Sequence, residues 1–132
     1  MNVLREKKSL RLTVLADRLA VCKLDAAGAP PMPTPDGFYS ATRTPNELSV
    51  VCRELSVPAN ARWEGGWRAL QLEGPLEFSE VGVLASVTAP LAEAGVSVFA
   101  VSTFDTDYVL VKEGQLGTAT TALREAGHEV VT

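Results

Sequence analysis

The sequence predicts an α+β protein in which short strands outnumber two amphipathic helices. Two segments in the second half carry apolar residues three or four positions apart, which is the spacing of one face of a helix. Short apolar runs bounded by Gly, Pro, Asn or Asp surround both segments, and such runs are typical of strands. The first half contains strand-like runs and little helical spacing, so we expect the helices to belong to the second half.

Composition excludes several classes of protein. The chain has 132 residues, of which 46% are hydrophobic and 21% charged, as in a globular protein that needs no metal or disulfide to fold. No apolar run reaches the roughly 18 residues of a membrane span, and Met1–Arg11 is too polar for a secretory signal. Cys22 and Cys52 are therefore expected to be reduced core thiols in the cytoplasm. The net charge of −4 argues against binding to nucleic acid or to an anionic membrane.

Charge is distributed unevenly between two predicted units. Residues 1–62 carry nine Lys and Arg against six Asp and Glu, a net of +3, whereas residues 63–132 carry three against ten, a net of −7. Turn-forming residues at Pro58–Ala61 and Gly65-Gly66 coincide with this change. Two explanations remain open: complementary or solvated surfaces, or carboxylates of the second unit presented to a cationic ligand.

The second unit is predicted to begin with a strand and a helix. The strand is Trp67–Leu72, which Gly74-Pro75 ends. The helix runs from Glu80 to Ala94, with Ser79 as a plausible N-cap and Gly95 at its end. Pro90 should bend this helix. Its apolar face consists of Leu84, Val87, Leu91 and Ala94.

The remaining elements complete a β-α-β-β-α-β order. In chain order they are a buried central strand (Val96–Val101), a tight turn (Asp105–Asp107) and a returning strand (Tyr108–Val111). A helix (Gln115–Ala126), which Gly127 stops, and a last strand (His128–Val131) follow. The face of the second helix consists of Leu116, Ala119, Leu123 and Ala126. This order is the split βαβ or ferredoxin-like arrangement, an antiparallel sheet with both helices on one face. The other face of the sheet then needs a cover.

We interpret the first unit as a smaller or degenerate partner of the second. Leu10–Leu15 alternates as a strand does, and Leu19–Leu24 fits a strand or one helical turn. Four prolines make Ala26–Gly37 a loop. Phe38–Thr42 and Leu48–Cys52 are predicted strands, joined across Thr44-Pro45-Asn46.

Catalytic and metal-binding motifs are absent from the sequence. The single histidine, His128, stands at a helix-to-strand junction, where a structural role is expected. There is no zinc-ligand spacing, no nucleophile elbow and no phosphate-binding glycine loop. We therefore expect no catalysis, no metal and no cofactor.

One group of residues does suggest ligand binding. Phe78–Val83 leads into the first predicted helix, whose first N–H groups lack partners within the helix and can hold a carboxylate. Gly82 permits close approach to the backbone. Ser102–Asp107 follows the central strand and adds hydroxyls, an aromatic ring and two carboxylates. Together they resemble a site for an amino acid, although Ser79 could serve only as a cap and Asp105 and Asp107 only as a turn.

Longer stretches resemble a known family. Gly74–Ser86 and Pro90–Phe99 look like an ACT domain. With Ser102–Lys112 they resemble a subgroup that contains small bacterial tandem-ACT proteins and the animal cytosolic arginine sensors called CASTOR. Leu10–Asp25 and Phe38–Leu48 resemble the degenerate first ACT unit of that subgroup.

The resemblance implies two ACT units, residues 1–62 and 63–132, and amino-acid sensing without catalysis. The animal sensors have four ACT units and bind arginine between the second and the fourth, so a chain with two units implies a homodimer with ligand between second units. Asp107 would pair with the basic group of arginine or another cationic amino acid. The implied ligand-binding residues are Glu80, Val81, Gly82, Val83, Leu84, Ser102, Thr103, Phe104 and Asp107.

Three alternatives stay open. The protein could be a dimeric interaction module without a ligand. It could be an accessory subunit that regulates an amino-acid biosynthetic enzyme such as an aspartate kinase. An acid–base enzyme built on Asp105 and Asp107 is the least supported, because nothing pairs a nucleophile with a base.

Overall fold

The computed structural model describes residues 9–33, 35–77 and 81–132, and it has the predicted α+β composition. The strands and helices in chain order are β1 (Arg11–Val14), β2 (Leu19–Leu24), β3 (Ser40–Arg43), β4 (Leu48–Arg53), β5 (Arg62–Leu72), α1 (Val83–Glu93), β6 (Val98–Ser102), β7 (Asp107–Lys112), α2 (Leu116–Glu125) and β8 (Glu129–Val131). They form two compact units. We call Ala16–Arg68 the strand unit, and the residues up to Leu15 together with Ala69–Thr132 the helix unit.

The strand unit is an antiparallel arrangement in the order β3-β4-β2 with the first part of β5. Leu19–Leu24 is a strand, which settles the alternative left by the sequence. Alternate residues of β2 and β4 form its core: Ala20, Cys22, Leu24, Leu48, Val50 and Cys52. Within the described residues of this unit the one helical element is a 3₁₀ turn at Glu54–Ser56, in agreement with the predicted scarcity of helix.

Both cysteines are free and buried, in agreement with the predicted core positions. Burial, with a contribution from the neighbouring Cys52, raises the pKa of the Cys22 thiol to about 12. A thiol that remains protonated at neutral pH is a poor nucleophile. Cys22 and Cys52 are therefore packing residues.

The helix unit has the strand order β8-β1-β5-β7-β6. Strand β1 is antiparallel to β5 and parallel to β8, and β6 is antiparallel to β7. This is the predicted ferredoxin-like arrangement with one additional strand, β1. The division differs from residues 1–62 and 63–132 because Leu12 of β1 pairs with Leu72 on one side and with Val130 on the other.

The predicted helical faces form the core of the helix unit. Val87 and Leu91 of α1 and Ala119 and Leu123 of α2 are completely buried. Gly95 and Gly127 follow the helices with positive φ angles of 76° and 97°, which end helical geometry as expected. The strands contribute Leu12, Leu70, Leu72, Val109, Val111 and Val130 to the same cluster.

Strand β6 was wrongly predicted to be a buried central strand. It pairs with β7, whereas β7 occupies the interior position beside β5. Exposed and half-buried residues alternate along Val98–Ser102, and Val98 remains 37% exposed. Apolar composition indicated burial on both faces, but it carries no information about which strand lies at the edge.

Helix α1 begins later than predicted. Val81 and Gly82 are not helical, and Gly82 has a φ of 81°, so the helix starts at Val83. The predicted N-cap Ser79 and the predicted first residue Glu80 lie outside the described residues. Pro90 lies within α1, and the bend expected there stays a prediction.

No helix within the described ranges combines the length and apolarity required to cross a membrane.

His128 has the structural role that the sequence suggested. Only 7% of the residue is exposed. Its Nδ1 accepts a hydrogen bond from the Leu10 N–H at 3.1 Å, so its Nε2 carries the proton and donates to the Ser86 carbonyl at 2.9 Å. The neutral ring thus joins the chain before β1 to helix α1.

We predict that His128→Ala lowers the free energy of unfolding by about 1–3 kcal/mol, because it leaves the Leu10 N–H and the Ser86 carbonyl without this partner. Urea denaturation measures the change. Glu129→Ala is the control, since the exposed ion pair of Glu129 with Arg11 should contribute about 1 kcal/mol or less. Equal midpoints for His128→Ala and the unsubstituted protein would contradict the structural role.

Candidate functional site

A cavity of about 470 Å³ lies in the helix unit where α1 begins and β6 turns into β7. Three segments line it: the loop after β5, the start of α1 and the β6–β7 turn. The lining residues are Leu76, Glu77, Gly82, Val83, Leu84, Ala85, Ser102, Thr103, Phe104, Asp105, Thr106 and Asp107.

The start of α1 gives the cavity unpaired backbone donors. Gly82 is the N-cap residue, and no side chain caps the helix there. The first intrahelical bond joins the Ser86 N–H to the Gly82 carbonyl at 2.9 Å. The amides of Val83, Leu84 and Ala85 precede that bond and have no acceptor within the helix. With the helix dipole they form a site suited to an anion.

Hydrogen bonds fix the β6–β7 turn. The Thr103 N–H donates to the Thr106 carbonyl at 2.8 Å, and the Thr103 hydroxyl donates to the same oxygen at 3.1 Å. The buried Thr106 hydroxyl donates to the Leu72 carbonyl at 2.7 Å. The turn is therefore attached to strand β5 as well as to its own hairpin.

The loop after β5 is held against this turn. The Leu76 N–H donates to the Asp105 carbonyl at 2.6 Å. A Cβ atom at Gly74 would lie 2.9 Å from the same carbonyl oxygen, so the close approach requires glycine. This contact brings Leu76 and Glu77 to the cavity.

The cavity has groups of opposite polarity on different elements. Glu77, Asp105 and Asp107 supply three carboxylates, and no Lys or Arg of the described residues lines the cavity. The hydroxyls of Ser102 and Thr103 add neutral polar groups. Opposite these, the α1 amides offer positive ends of dipoles. The arrangement is complementary to a zwitterion that carries an additional positive charge.

The structure brings together most of the residues that the sequence indicated. Gly82, Val83, Leu84, Ser102, Thr103, Phe104 and Asp107 all line the cavity. Val81 is 96% exposed and does not line it, and Glu80 lies outside the described residues. The sequence missed Leu76, Glu77 and Ala85. The first two reach the cavity through the long-range Leu76–Asp105 hydrogen bond, which has no local signal.

Within residues 9–33, 35–77 and 81–132, no three His, Cys, Asp or Glu side chains form a group able to hold a metal ion.

Comparison with known families gives two matches. The model described as ACT domain matches residues 62–125. A second model, described as an N-terminal domain, matches residues 17–60. The second model's match ends at residue 60, and the ACT match begins at Arg62, the first residue of β5.

Individual proteins extend these matches. The human cytosolic arginine sensor for mTORC1 subunit 1 is 29% identical over 108 residues, which cover 76% of this chain. The match spans only 33% of that sensor's length. The crystal structure of protein Atu0741 from Agrobacterium tumefaciens has a TM-score of 0.87 and 36% identity, and the match covers 94% of this chain and 93% of that one.

A third comparison concerns the fold. The regulatory subunit of aspartate kinase from Thermus thermophilus matches with a TM-score of 0.61 and 10% identity, and the match covers 92% of this chain and 99% of that chain.

We predict that Thr106→Val destabilises the helix unit although it preserves the shape of the side chain. The change leaves the Leu72 carbonyl without its donor and should cost about 1–2 kcal/mol of unfolding free energy. Thr121→Val on the exposed side of α2 is the matched control, expected within about 0.5 kcal/mol. Chemical denaturation of both variants makes the comparison. Equal effects would mean that the Thr106 bond does not anchor the turn.

Proposed function

Because the chain belongs to the ACT domain family, we propose that it is a non-catalytic, cytoplasmic regulatory protein that binds an amino acid. The observation that carries this proposal is the cavity in which uncapped amides of α1 face carboxylates and hydroxyls of the β6–β7 turn. An amino acid has the same two polarities, a carboxylate and an ammonium, at one end of the molecule.

The ligand orientation follows from these polarities. The α-carboxylate accepts hydrogen bonds from the amides of Val83, Leu84 and Ala85. Ser102 and Thr103 contact the polar backbone of the ligand. Asp107 pairs with a positive group on its side chain.

Charge favours a cationic amino acid such as arginine. The carboxylates of Asp105 and Asp107 and that of the ligand meet in the same cavity, so a neutral amino acid would leave an excess of negative charge. A guanidinium or ammonium on the side chain reduces this excess. The human relative's name, an arginine sensor, agrees with this choice, although that relative is about three times as long as the match.

We place the ligand between two ACT units of a homodimer. The cavity is open to solvent, and Val81 and Phe104 near its entrance are 96% and 79% exposed. Strand β6, whose last residue lines the cavity, is an edge strand. A second copy placed against this edge would cover the apolar side chains and enclose the ligand. Binding would then stabilise one dimer arrangement over another, which is how a sensor transmits its signal.

A second candidate function is regulation of an enzyme by direct association. The fold match to an aspartate kinase regulatory subunit favours it. In that case the chain is an accessory subunit of an amino-acid biosynthetic enzyme. Copurification of a kinase or dehydrogenase from the native cell supports this candidate, and a dimer that binds neither enzyme nor amino acid supports a simple interaction module.

We predict that a thermal-shift screen of the twenty common amino acids raises the melting temperature most with arginine or lysine. A ligand that binds only the folded state stabilises it, by about 2.7 kcal/mol at a concentration of 100 times its Kd. Glycine and glutamate serve as controls that share the α-amino and α-carboxylate groups. The absence of any shift would contradict amino-acid binding and favour the interaction module.

We also predict that Asp107→Asn weakens binding of the amino acid identified by the screen at least tenfold. The substitution preserves size while it removes the charge that pairs with the ligand, and a charged hydrogen bond contributes about 1.5–3 kcal/mol. Isothermal titration calorimetry measures the change. Asp36→Asn, an 86% exposed side chain of the strand unit, is the control. Unchanged affinity in Asp107→Asn would exclude Asp107 from the site.

A further inference from the structure

The helix unit has a second concave surface, a groove of about 540 Å³ between α1 and α2. We call it the interhelical groove. Small residues form its floor: Ala89, Pro90, Ala122 and Ala126. Glu93 and Glu125 stand at its rim. The groove lies along α1 beyond the residues that line the amino-acid cavity, and the two lining sets share no residue.

The rim of the groove is negatively charged. Glu93 and Glu125 are exposed, and neither forms an ion pair within residues 9–33, 35–77 and 81–132. Both stand in the last turn of a helix, where the carbonyl ends add negative potential. The last turn of α1 has no basic residue, and Arg124 of α2 donates to the Val130 carbonyl at 2.8 Å. A segment that binds in the interhelical groove should therefore have apolar side chains for the floor and positive charges for Glu93 and Glu125.

The described chain begins at one end of this groove. The Ser9 hydroxyl donates to the Gly127 carbonyl at 2.7 Å, and the next N–H, that of Leu10, donates to His128. Gly127 is preceded by Ala126 and followed by His128, and both of these residues line the groove. Residues 1–8 thus connect to the structure at the groove itself.

These eight residues have the composition that the groove requires. Met1, Val3 and Leu4 are apolar, and the basic residues Arg5, Lys7 and Lys8 outnumber one acid, Glu6. The stretch of α1 from Ser86 to Ala94 rises about 12 Å at 1.5 Å per residue. An extended chain covers that distance in about four residues. Eight residues are enough to reach from Ser9 past Glu93.

We propose that residues 1–8 bind in the interhelical groove of their own chain. The apolar side chains contact the floor of small residues, and the basic side chains pair with Glu93 and Glu125. This occupant covers the helical surface next to α1, so the segment competes with any other protein for that face. The proposal stands on the groove and the charges around it and is independent of amino-acid binding.

The test uses the full chain with a spin label on Val3→Cys, since buried Cys22 and Cys52 resist labelling. We expect the label to reduce the NMR amide intensities of residues 91–94 and 122–126 to less than half, with the strand unit unaffected. Glu93→Lys combined with Glu125→Lys should restore those intensities at least twofold. Glu73→Lys, an exposed acid outside the groove, is the control and should leave the broadening in place.

Two further measurements identify the segment that binds in the interhelical groove and the chain to which it belongs. Adding Lys7→Glu and Lys8→Glu to the groove double variant should bring the broadening back, because the charges are complementary again. Mixing ¹⁵N-labelled chains that have no spin label with spin-labelled ¹⁴N chains should give no broadening. Broadening in the mixture would show that the segment binds a second copy, and unbroadened groove amides in the Val3→Cys protein would show that it does not bind there; either result overturns the proposal. Amide shifts of the strand unit report whether each variant is folded.

Discussion

The pairing of strand β1 on both of its edges is the constraint on which the helix unit depends. Leu12 is completely buried between Leu72 of β5 and Val130 of β8. Backbone bonds continue on both sides: the Glu73 N–H donates to the Arg11 carbonyl at 2.8 Å, and the Glu129 N–H donates to the Leu10 carbonyl at 2.9 Å. A segment remote in sequence therefore holds the first and last strands of the ferredoxin-like unit in place.

The candidate site is built outward from the end of β5 that this pairing fixes. Leu72 faces Leu12 in the ladder, and its carbonyl accepts the Thr106 hydroxyl. Two residues beyond, Gly74 permits the chain to pass close to Asp105, and Leu76 bonds to that residue. The β6–β7 turn is thus positioned by β5, whereas the opposite wall belongs to α1. A ligand that contacts both walls would connect the β6–β7 turn directly to helix α1.

Sequence reasoning succeeded where the determinant is local. The apolar spacing of α2 predicted Leu116–Glu125 almost to the residue, and Gly127 ends it through a positive φ. It failed where the determinant is long-range: nothing in Arg11–Val14 indicates that its partners are Leu72 and Val130 rather than a neighbouring strand. The apolar run of β6 likewise does not show whether that strand lies at the centre or at the edge. At the site, the residue types near Gly82 and Ser102 were recognisable, but Leu76 and Glu77 enter through a tertiary hydrogen bond.

The two concave surfaces beside α1 hold much of the negative charge of the second half of the chain. Five of the ten acidic residues among 63–132 line them: Glu77, Asp105 and Asp107 the cavity, and Glu93 and Glu125 the groove. Helix α1 affects the two surfaces differently because different ends of its dipole lie beside them. Its free amides at Val83–Ala85 give the cavity a positive end, so a zwitterion fits there. Its carbonyl end reinforces Glu93 in the groove, so an occupant without a carboxylate, such as a basic segment of polypeptide, fits better. In the two proposals, the opposite ends of one helix dipole therefore let two acidic surfaces of the helix unit bind different ligands.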